Sequence, residues 1–402
     1  MPFNSPTVVA LQRTLHAVRT HLRMDIAYIS EISEHDGLLW ALDSDRPISY
    51  AAGDRLDLEA VYCRRILRGE MPAMILDTAQ HPVARALPIT SELPVGSLIS
   101  VPITLSNGTV FGLICCLKTK RDPNLNSRDL GTLQAFAEVA AIQIEAEVDK
   151  TAELTAAVAR VDNVIEQDAF HIAYQPIVCT ITNGILGFEC LSRFDVTPYR
   201  SPDEWFLDAG SVGLGAELEV AAIRKALAAI DRFPDEMFLS VNASPDTIVS
   251  GRLHEAFGDT PLERIVLEIT EQTPVRDYAR LTEVLSDFRA HGLRVAIDDA
   301  GAGFAGLRHI VNIAPDIIKL DLSITRDIDS DASRRAMATA LLAFGRETGC
   351  RLLAEGVETQ AELDTLRALQ VHCVQGYLLQ EPLVLEEALR FAEQAICSPR
   401  AA

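Results

Sequence analysis

From residue 168 onward, short apolar runs alternate with stretches of helical period, and run after run stops at an acid, an amide or a lysine. They read Gly187-Phe188-Glu189-Cys190-Leu191, Leu239-Ser240-Val241-Asn242, Ile265-Val266-Leu267-Glu268, Val295-Ala296-Ile297-Asp298-Asp299, Ile317-Ile318-Lys319, Leu352-Leu353-Ala354-Glu355 and Cys373-Val374-Gln375. Near-continuous apolar runs mark strands buried on both faces. Strands are predicted near 171–178, 185–194, 237–242, 264–269, 293–298, 316–321, 351–355 and 372–376, with helices at 215–231, 277–290, 332–348 and 360–369. Strands and helices interleaved in this number predict an α/β TIM-type (β/α)8-like barrel over 167–402. No Gly-rich phosphate turn follows the first strand, as a doubly wound sheet would place there.

The first part patterns differently. Val8, Leu11, Leu15, Val18 and Leu22 make one face of a helix over 7–24. Strands are predicted at 26–32, 38–42, 73–77, 97–104 and 109–118, with a helical segment at 57–68. Ser106-Asn107-Gly108 makes the last two strands a hairpin. This predicts an α+β domain over 1–126. Between the two parts, 127–166 carries a heptad-like series: Leu130, Leu133, Ala137, Ala140, Ile144, Glu147, Thr151, Leu154, Val158, Val161 and Ile165. Such a helix either pairs with a second copy as a coiled coil or lies on its own domain. Pairing, and hence a homodimer, is the expectation, although the series weakens at Glu147 and Thr151.

Charge and cysteine usage narrow the partners. A net charge of −21 over 402 residues argues against a nucleic-acid polymer or an anionic membrane surface. No stretch approaches the roughly 18 apolar residues of a membrane helix, and Met1-Pro2-Phe3-Asn4 does not open a signal peptide. The eight cysteines include no C-x-x-C. A cytoplasmic protein without a disulfide framework is expected.

In a barrel of parallel strands, active sites form where the strand C-termini converge. Glu189, Asn242, Glu268, Asp298 and Glu355 would meet there as an all-oxygen donor set suited to Mg²⁺ or Mn²⁺. The Asp298-Asp299 doublet lets one carboxylate bridge two ions while the other holds the second, an arrangement for phosphoryl displacement. Lys319 can orient or deprotonate a water and neutralise developing charge. Taken singly, these residues have ordinary readings: Asn242 as a cap or turn residue, Glu355-Gly356 as a turn, Lys319 as a surface charge. Their recurrence at successive strand ends points to a phosphodiesterase or phosphatase.

On these residues 165–395 resembles the EAL domain, the bacterial cyclic di-GMP phosphodiesterase domain. The name motif stands as Glu189-Cys190-Leu191. The likeness continues through Tyr174-Gln175-Pro176-Ile177, Arg193, Val241-Asn242-Ala243-Ser244-Pro245, Leu267-Glu268-Ile269-Thr270-Glu271, Asp298-Asp299, Ile318-Lys319-Leu320-Asp321, Ala354-Glu355-Gly356-Val357 and Val374-Gln375-Gly376-Tyr377. It implies two Mg²⁺ or Mn²⁺ ions on Glu189, Asn242, Glu268, Asp298, Asp299 and Glu355. Lys319, Glu355 and Gln375 would be catalytic, with Lys319 and Gln375 on the attacking water. Gln175, Leu191 and Arg193 would contact substrate, and Glu271 would anchor the loop after the Asp pair and couple activity to a dimer. The implied reaction is in-line attack of an activated water on one phosphodiester of cyclic di-GMP, releasing linear pGpG.

Residues 1–150 resemble a GAF sensor domain through Leu93-Pro94-Val95-Gly96-Ser97-Leu98-Ile99-Ser100-Val101-Pro102-Ile103 and Gly108-Thr109-Val110-Phe111-Gly112-Leu113-Ile114-Cys115-Cys116-Leu117. The ligand or signal is not legible, since the Asn-Lys-Phe-Asp-Glu signature of cyclic-nucleotide binders is absent. Cys63, Cys115 and Cys116 read as packing residues rather than chromophore or redox sites, and His81 as a loop residue. In the barrel, Ala300 stands where the family usually has an aromatic, and Ala305 where Ser is frequent. Phe194 replaces a common Trp and is expected still to stack on a base. Gln380-Glu381 replaces a frequent Gly-Arg/Lys. Two alternatives keep the same residues: a receptor that binds cyclic di-GMP without effective cleavage and signals through its dimer, and another metal-dependent barrel enzyme.

Overall fold

The computed structural model describes residues 6–33, 36–269, 275–300 and 304–397. The chain divides into two units, Met1–Glu153 and Leu154–Ala402. In the first, β1 (Ile26–Ile32), β2 (Gly37–Ser44), β3 (Arg55–Leu56), β4 (Met74–Ile75), β5 (Ser97–Thr104) and β6 (Val110–Lys118) form an antiparallel sheet. Its order is β3-β2-β1-β6-β5-β4. Successive strand residues point to opposite faces, and both faces are covered. Ala27, Ile29, Ile99, Val101, Ile114 and Cys116 pack with Leu11, Leu15 and Val18 of the helix Pro6–His21 and with Leu133, Ala137 and Ile144 of the helix Ser127–Glu166. Tyr28, Leu98, Leu113 and Cys115 pack with Cys63, Ala84 and Ile89 of short helical turns. The β5–β6 hairpin turns at Gly108 (φ 82°), with Thr109 N–H donating to Asn107 Oδ1 at 2.9 Å.

Two expectations for this unit change. The helix predicted at 57–68 shrinks to Cys63–Leu67, because Asp57 takes the Glu59 N–H on its side chain (2.9 Å) and the Ala60 N–H on its carbonyl, closing a turn instead. The helix Ser127–Glu166 has the expected bounds, but the first part of its heptad seam packs within the sensor core. Leu133, Ala137, Ala140 and Ile144 are at most 4% exposed in the sensor core, and Val161 is buried in the barrel core. Glu147 accepts from Thr7 Oγ1 at 2.7 Å. The first part of the series is thus taken up by the sensor core, while Leu154 and Val158 of the same series stay exposed at 39% and 37%.

The second unit closes eight strands into a barrel: β7 (Phe170–Cys179), β8 (Ile185–Phe194), β9 (Phe238–Ala243), β10 (Ile265–Ile269), β11 (Arg294–Ala300), β12 (Ile317–Leu320), β13 (Arg351–Ala354) and β14 (Cys373–Val374). Around the barrel they run β10-β11-β12-β13-β14-β7-β8-β9. All neighbours are parallel except β7, which is antiparallel to both β8 and β14. The connection 180–184 is too short for a crossover and turns back as a hairpin, with Asn183 at φ 55°. The TIM-type barrel is thus present, with one antiparallel strand. Outward residues such as Phe188, Leu239, Leu267, Val295 and Ile297 lie in the main core, while Ile177, Phe238, Val266, Ala296, Leu353 and Cys373 form a separate inner cluster. Ser201 with Glu204, and Thr359 with Glu362, form capping boxes that start the helices Pro202–Ser211 and Gln360–Ala368. Among the described residues no helix is long and apolar enough to cross a membrane.

Candidate active site

Seven strand ends deliver their polar residues to one layer. Glu189, Asn242 and Asp298 lie on β8, β9 and β11, Glu268 on β10 and Lys319 on β12, while Glu355 and Gln375 immediately follow β13 and β14. Gln175 joins them from the middle of the antiparallel β7, opposite Glu189 in register. At the centre is Lys319, 1% exposed. Its Nζ lies 2.5 Å from Glu268, 2.6 Å from Glu355, 3.0 Å from Asp298 and 3.3 Å from Glu189. Amides complete the layer. Gln375 Nε2 donates to Glu189 Oε2 (2.5 Å) and Gln175 Oε1 (2.9 Å), and Asn242 Nδ2 to Glu189 Oε1 (3.5 Å).

One ammonium among four carboxylates leaves the charges unbalanced, and the titration behaviour shows it. Burial pushes Glu268 up to about 8, with the neighbouring Glu189 and Asp298 adding to it against the pull of Lys319. Burial also holds Glu355 well above the usual carboxylate range. For Glu189 burial acts in the same direction, but Lys319 and the Gln375 and Asn242 amides outweigh it and hold the carboxyl low. Burial acts to lower Lys319, and the four surrounding carboxylates override it, keeping the ammonium well above its ordinary value. Lys319 is thus held as an ammonium among these carboxylates.

The donor set fits hard divalent cations. Every side chain offered is an oxygen ligand, and Asn242 Oδ1 and Gln375 Oε1 are buried acceptors with no hydrogen-bond partner. Among the described residues no three Asp, Glu, His or Cys side chains are set directly around an ion position, because their oxygens converge on the Lys319 ammonium. The β11–β12 register shifts between Ile297 and Ala300, a bulge at the Asp doublet of the kind that re-aims side chains beside active sites. The side chains of Asp299, Ala300 and Ala305, and all of Glu271, lie outside the described residues.

The substrate-side residues separate. Gln175 belongs to the carboxylate layer and donates to the Gln380 carbonyl at 3.3 Å, so position 380 acts through its backbone. Leu191 and Arg193 follow Glu189 with the same parity on β8, both half-buried, and Arg193 Nη1 donates to the Ser192 carbonyl at 2.9 Å. Arg193 lines an open groove of about 620 Å³ with His171, Tyr199 and Arg200. Phe194 does not serve as the expected stacking ring: it is 6% exposed and stacks on Trp205 at 5.2 Å. The exposed aromatic in that groove is Tyr199, at 79%. Sequence reasoning also missed Ser240, whose hydroxyl donates to Glu268 Oε1 at 2.5 Å. Its place two residues before Asn242, on the same side of β9, was the available signal.

A barrel with a layer of carboxylates at its strand ends defines a class of oxygen-ligand, cation-dependent sites. The family is then specific. The EAL domain model matches residues 158–382 and the GAF domain model residues 7–144. The chain belongs to the EAL domain family and carries a GAF domain ahead of the barrel. It is 30% identical over 233 residues to the cyclic di-GMP phosphodiesterase PA2567 of Pseudomonas aeruginosa, covering 55% of this chain and 40% of that protein. It is 32% identical over 236 residues to the uncharacterized protein y4lL of Sinorhizobium fredii, covering 56% of this chain and 28% of that one. The chain thus spans less than half the length of both relatives. Among solved structures, an EAL domain protein from Listeria monocytogenes superposes with a TM-score of 0.53 at 26% identity, covering 58% of this chain and 96% of that one.

Proposed function

We propose that the chain is a signal-regulated phosphodiesterase that hydrolyses cyclic di-GMP to linear pGpG. The observation that carries the reading is the buried layer itself: four carboxylates on one lysine, beside the unpartnered Asn242 Oδ1. Glu189, Asn242, Glu268, Asp298, Asp299 and Glu355 would hold two Mg²⁺ or Mn²⁺ ions. Bound there, the ions would supply an activated water and offset the phosphate charge.

The protein's own groups do the remaining work. Lys319, once released from some of its carboxylates, donates to the attacking water or to the phosphoryl oxygens as negative charge develops. Gln375 already holds Glu189 and Gln175, and positions the water through its free Oε1. Glu355, held high by burial, is suited to take a proton from that water. Gln175 and Leu191 line the approach, and Arg193 turns from the Ser192 carbonyl to a phosphate oxygen, a charge-assisted contact. The GAF domain would receive the signal, and Glu271 would couple the loop after the Asp doublet to activity.

The test is incubation of the full chain with cyclic di-GMP and Mg²⁺ or Mn²⁺, with pGpG resolved by chromatography. The reading expects turnover that chelation removes and that Glu189→Ala and Lys319→Ala abolish. Binding without turnover would assign the chain as a receptor, and turnover surviving both substitutions would overturn the site.

A further inference from the structure

Two cysteines of the sensor domain, far apart in sequence, converge inside its core on a polar row of the sheet. Tyr28 of β1 pairs with Cys115 of β6, which in turn pairs with Ser100 of β5, so the three stand side by side across the sheet. Ser30 lies two residues along β1 on the same face. Cys63 opens the helix Cys63–Leu67 that covers this face. Its Sγ lies 3.5 Å from Ser30 Oγ and 3.6 Å from Tyr28 Oη, while Cys115 Sγ lies 2.9 Å from Ser100 Oγ. Cys63 and Cys115 are near enough that each thiol shifts the titration of the other. Cys116, one residue on, points to the opposite face among Ile29, Ile99 and Ile114, so the convergence belongs to one pair.

We infer that Cys63 and Cys115 form a site of oxidative modification, closing to an intramolecular disulfide on exposure to a peroxide. The two thiols have different characters. The neighbouring Cys115 lowers Cys63 to about 7, against the effect of burial and with help from Ser30 and Tyr28. Burial holds Cys115 well above the ordinary thiol value, and the charge on Cys63 adds to it. Cys63 is the attacking sulfur and Cys115 the resolving one.

The chemistry balances without another reactant. The Cys63 thiolate attacks one peroxide oxygen, the O–O bond breaks, and hydroxide leaves to become water, giving a sulfenic acid. Cys115 sulfur then attacks the Cys63 sulfur, the S–O bond breaks, and the departing hydroxide takes the Cys115 proton. Two thiols are oxidised by two electrons to one disulfide, and one peroxide is reduced to two waters. The inference is independent of the reaction proposed for the barrel.

The test is titration of the full reduced chain with hydrogen peroxide, followed by alkylation of the remaining thiols and peptide mass spectrometry. A Cys63–Cys115 linked peptide at low oxidant is expected, with Cys116 still alkylated. In Cys115→Ser a dimedone-reactive sulfenic acid should accumulate at Cys63. Peroxide that oxidises the half-buried Cys179 while Cys63 and Cys115 remain free thiols would overturn the proposal, as would Cys63 linked to any other cysteine. The wild-type crosslink decides the matter even if a variant fails to fold.

Discussion

Replacing Lys319 by Met tests how the active-site layer is held together, because it removes the one positive charge and keeps the side chain's length. Four carboxylate oxygens lie 2.5–3.3 Å from Nζ. At an effective dielectric near 20, each contact at about 3 Å is worth roughly 5 kcal/mol of gross attraction. Desolvation and proton uptake by Glu268 and Glu355 cancel most of that sum, and breaking a buried ion pair costs about 3–5 kcal/mol net. For a unit of this size the expected fall in Tm is roughly 10 °C in chelator. The assay is thermal unfolding of the full chain, with and without Mg²⁺ or Mn²⁺, following the transition that responds to cation. The ions should recover much of the loss, and should stabilise Lys319→Met more than wild type, since no ammonium competes for the oxygens. A variant that melts like wild type in chelator, or a wild type and variant both indifferent to divalent cations, would refute the reasoning.

Glu189→Gln should lower cyclic di-GMP turnover at least about a thousandfold while leaving the Tm within a few degrees, because the amide oxygen keeps the Gln375 contact and three carboxylates still hold Lys319; steady-state kinetics and melting together check this. Gly376→Ala would place a Cβ 2.2 Å from the Val357 backbone N and O, so it should cost about 3 kcal/mol or more by denaturant titration and displace Gln375. Glu362 accepts backbone N–H bonds from Asp327, Glu358 and Thr359, which outweigh its burial and lower its pKa. Its stabilisation is therefore present above the unfolded value near 4.5 and lost as pH falls through the lower folded value. Glu362→Gln should destabilise at pH 7 and flatten the acid limb of a stability–pH curve, and an unchanged limb would contradict the assignment.

The barrel strands were legible because buried parallel strands leave long apolar runs, and an acid or lysine ending such a run has no packing reason to be there. Glu189, Glu268 and Lys319 announced themselves in this way. The direction of β7 was not legible. Period and composition are the same for parallel and antiparallel strands, and only the short 180–184 link carried the information. The heptad in 127–166 gave the helix but not its partner: a stripe of Leu133, Ala137 and Ile144 fits a second helix or its own sheet equally well, and the sheet won. The short helices Pro82–Ala86 and Pro245–Val249 were invisible because single turns bury too few residues to set a period. Ser240 and the Cys63–Cys115 pair could not be read as contacts at all, since each joins residues brought together only by tertiary packing.

Hydrolysis in ¹⁸O-enriched water tests the central claim most directly. The full chain, cyclic di-GMP and Mg²⁺ or Mn²⁺ are combined, and the product is read by mass spectrometry. The account predicts pGpG carrying one ¹⁸O in its 5′-phosphate, with none formed in chelator or by Glu189→Gln. Cyclic di-GMP that binds the chain and is recovered intact would contradict it.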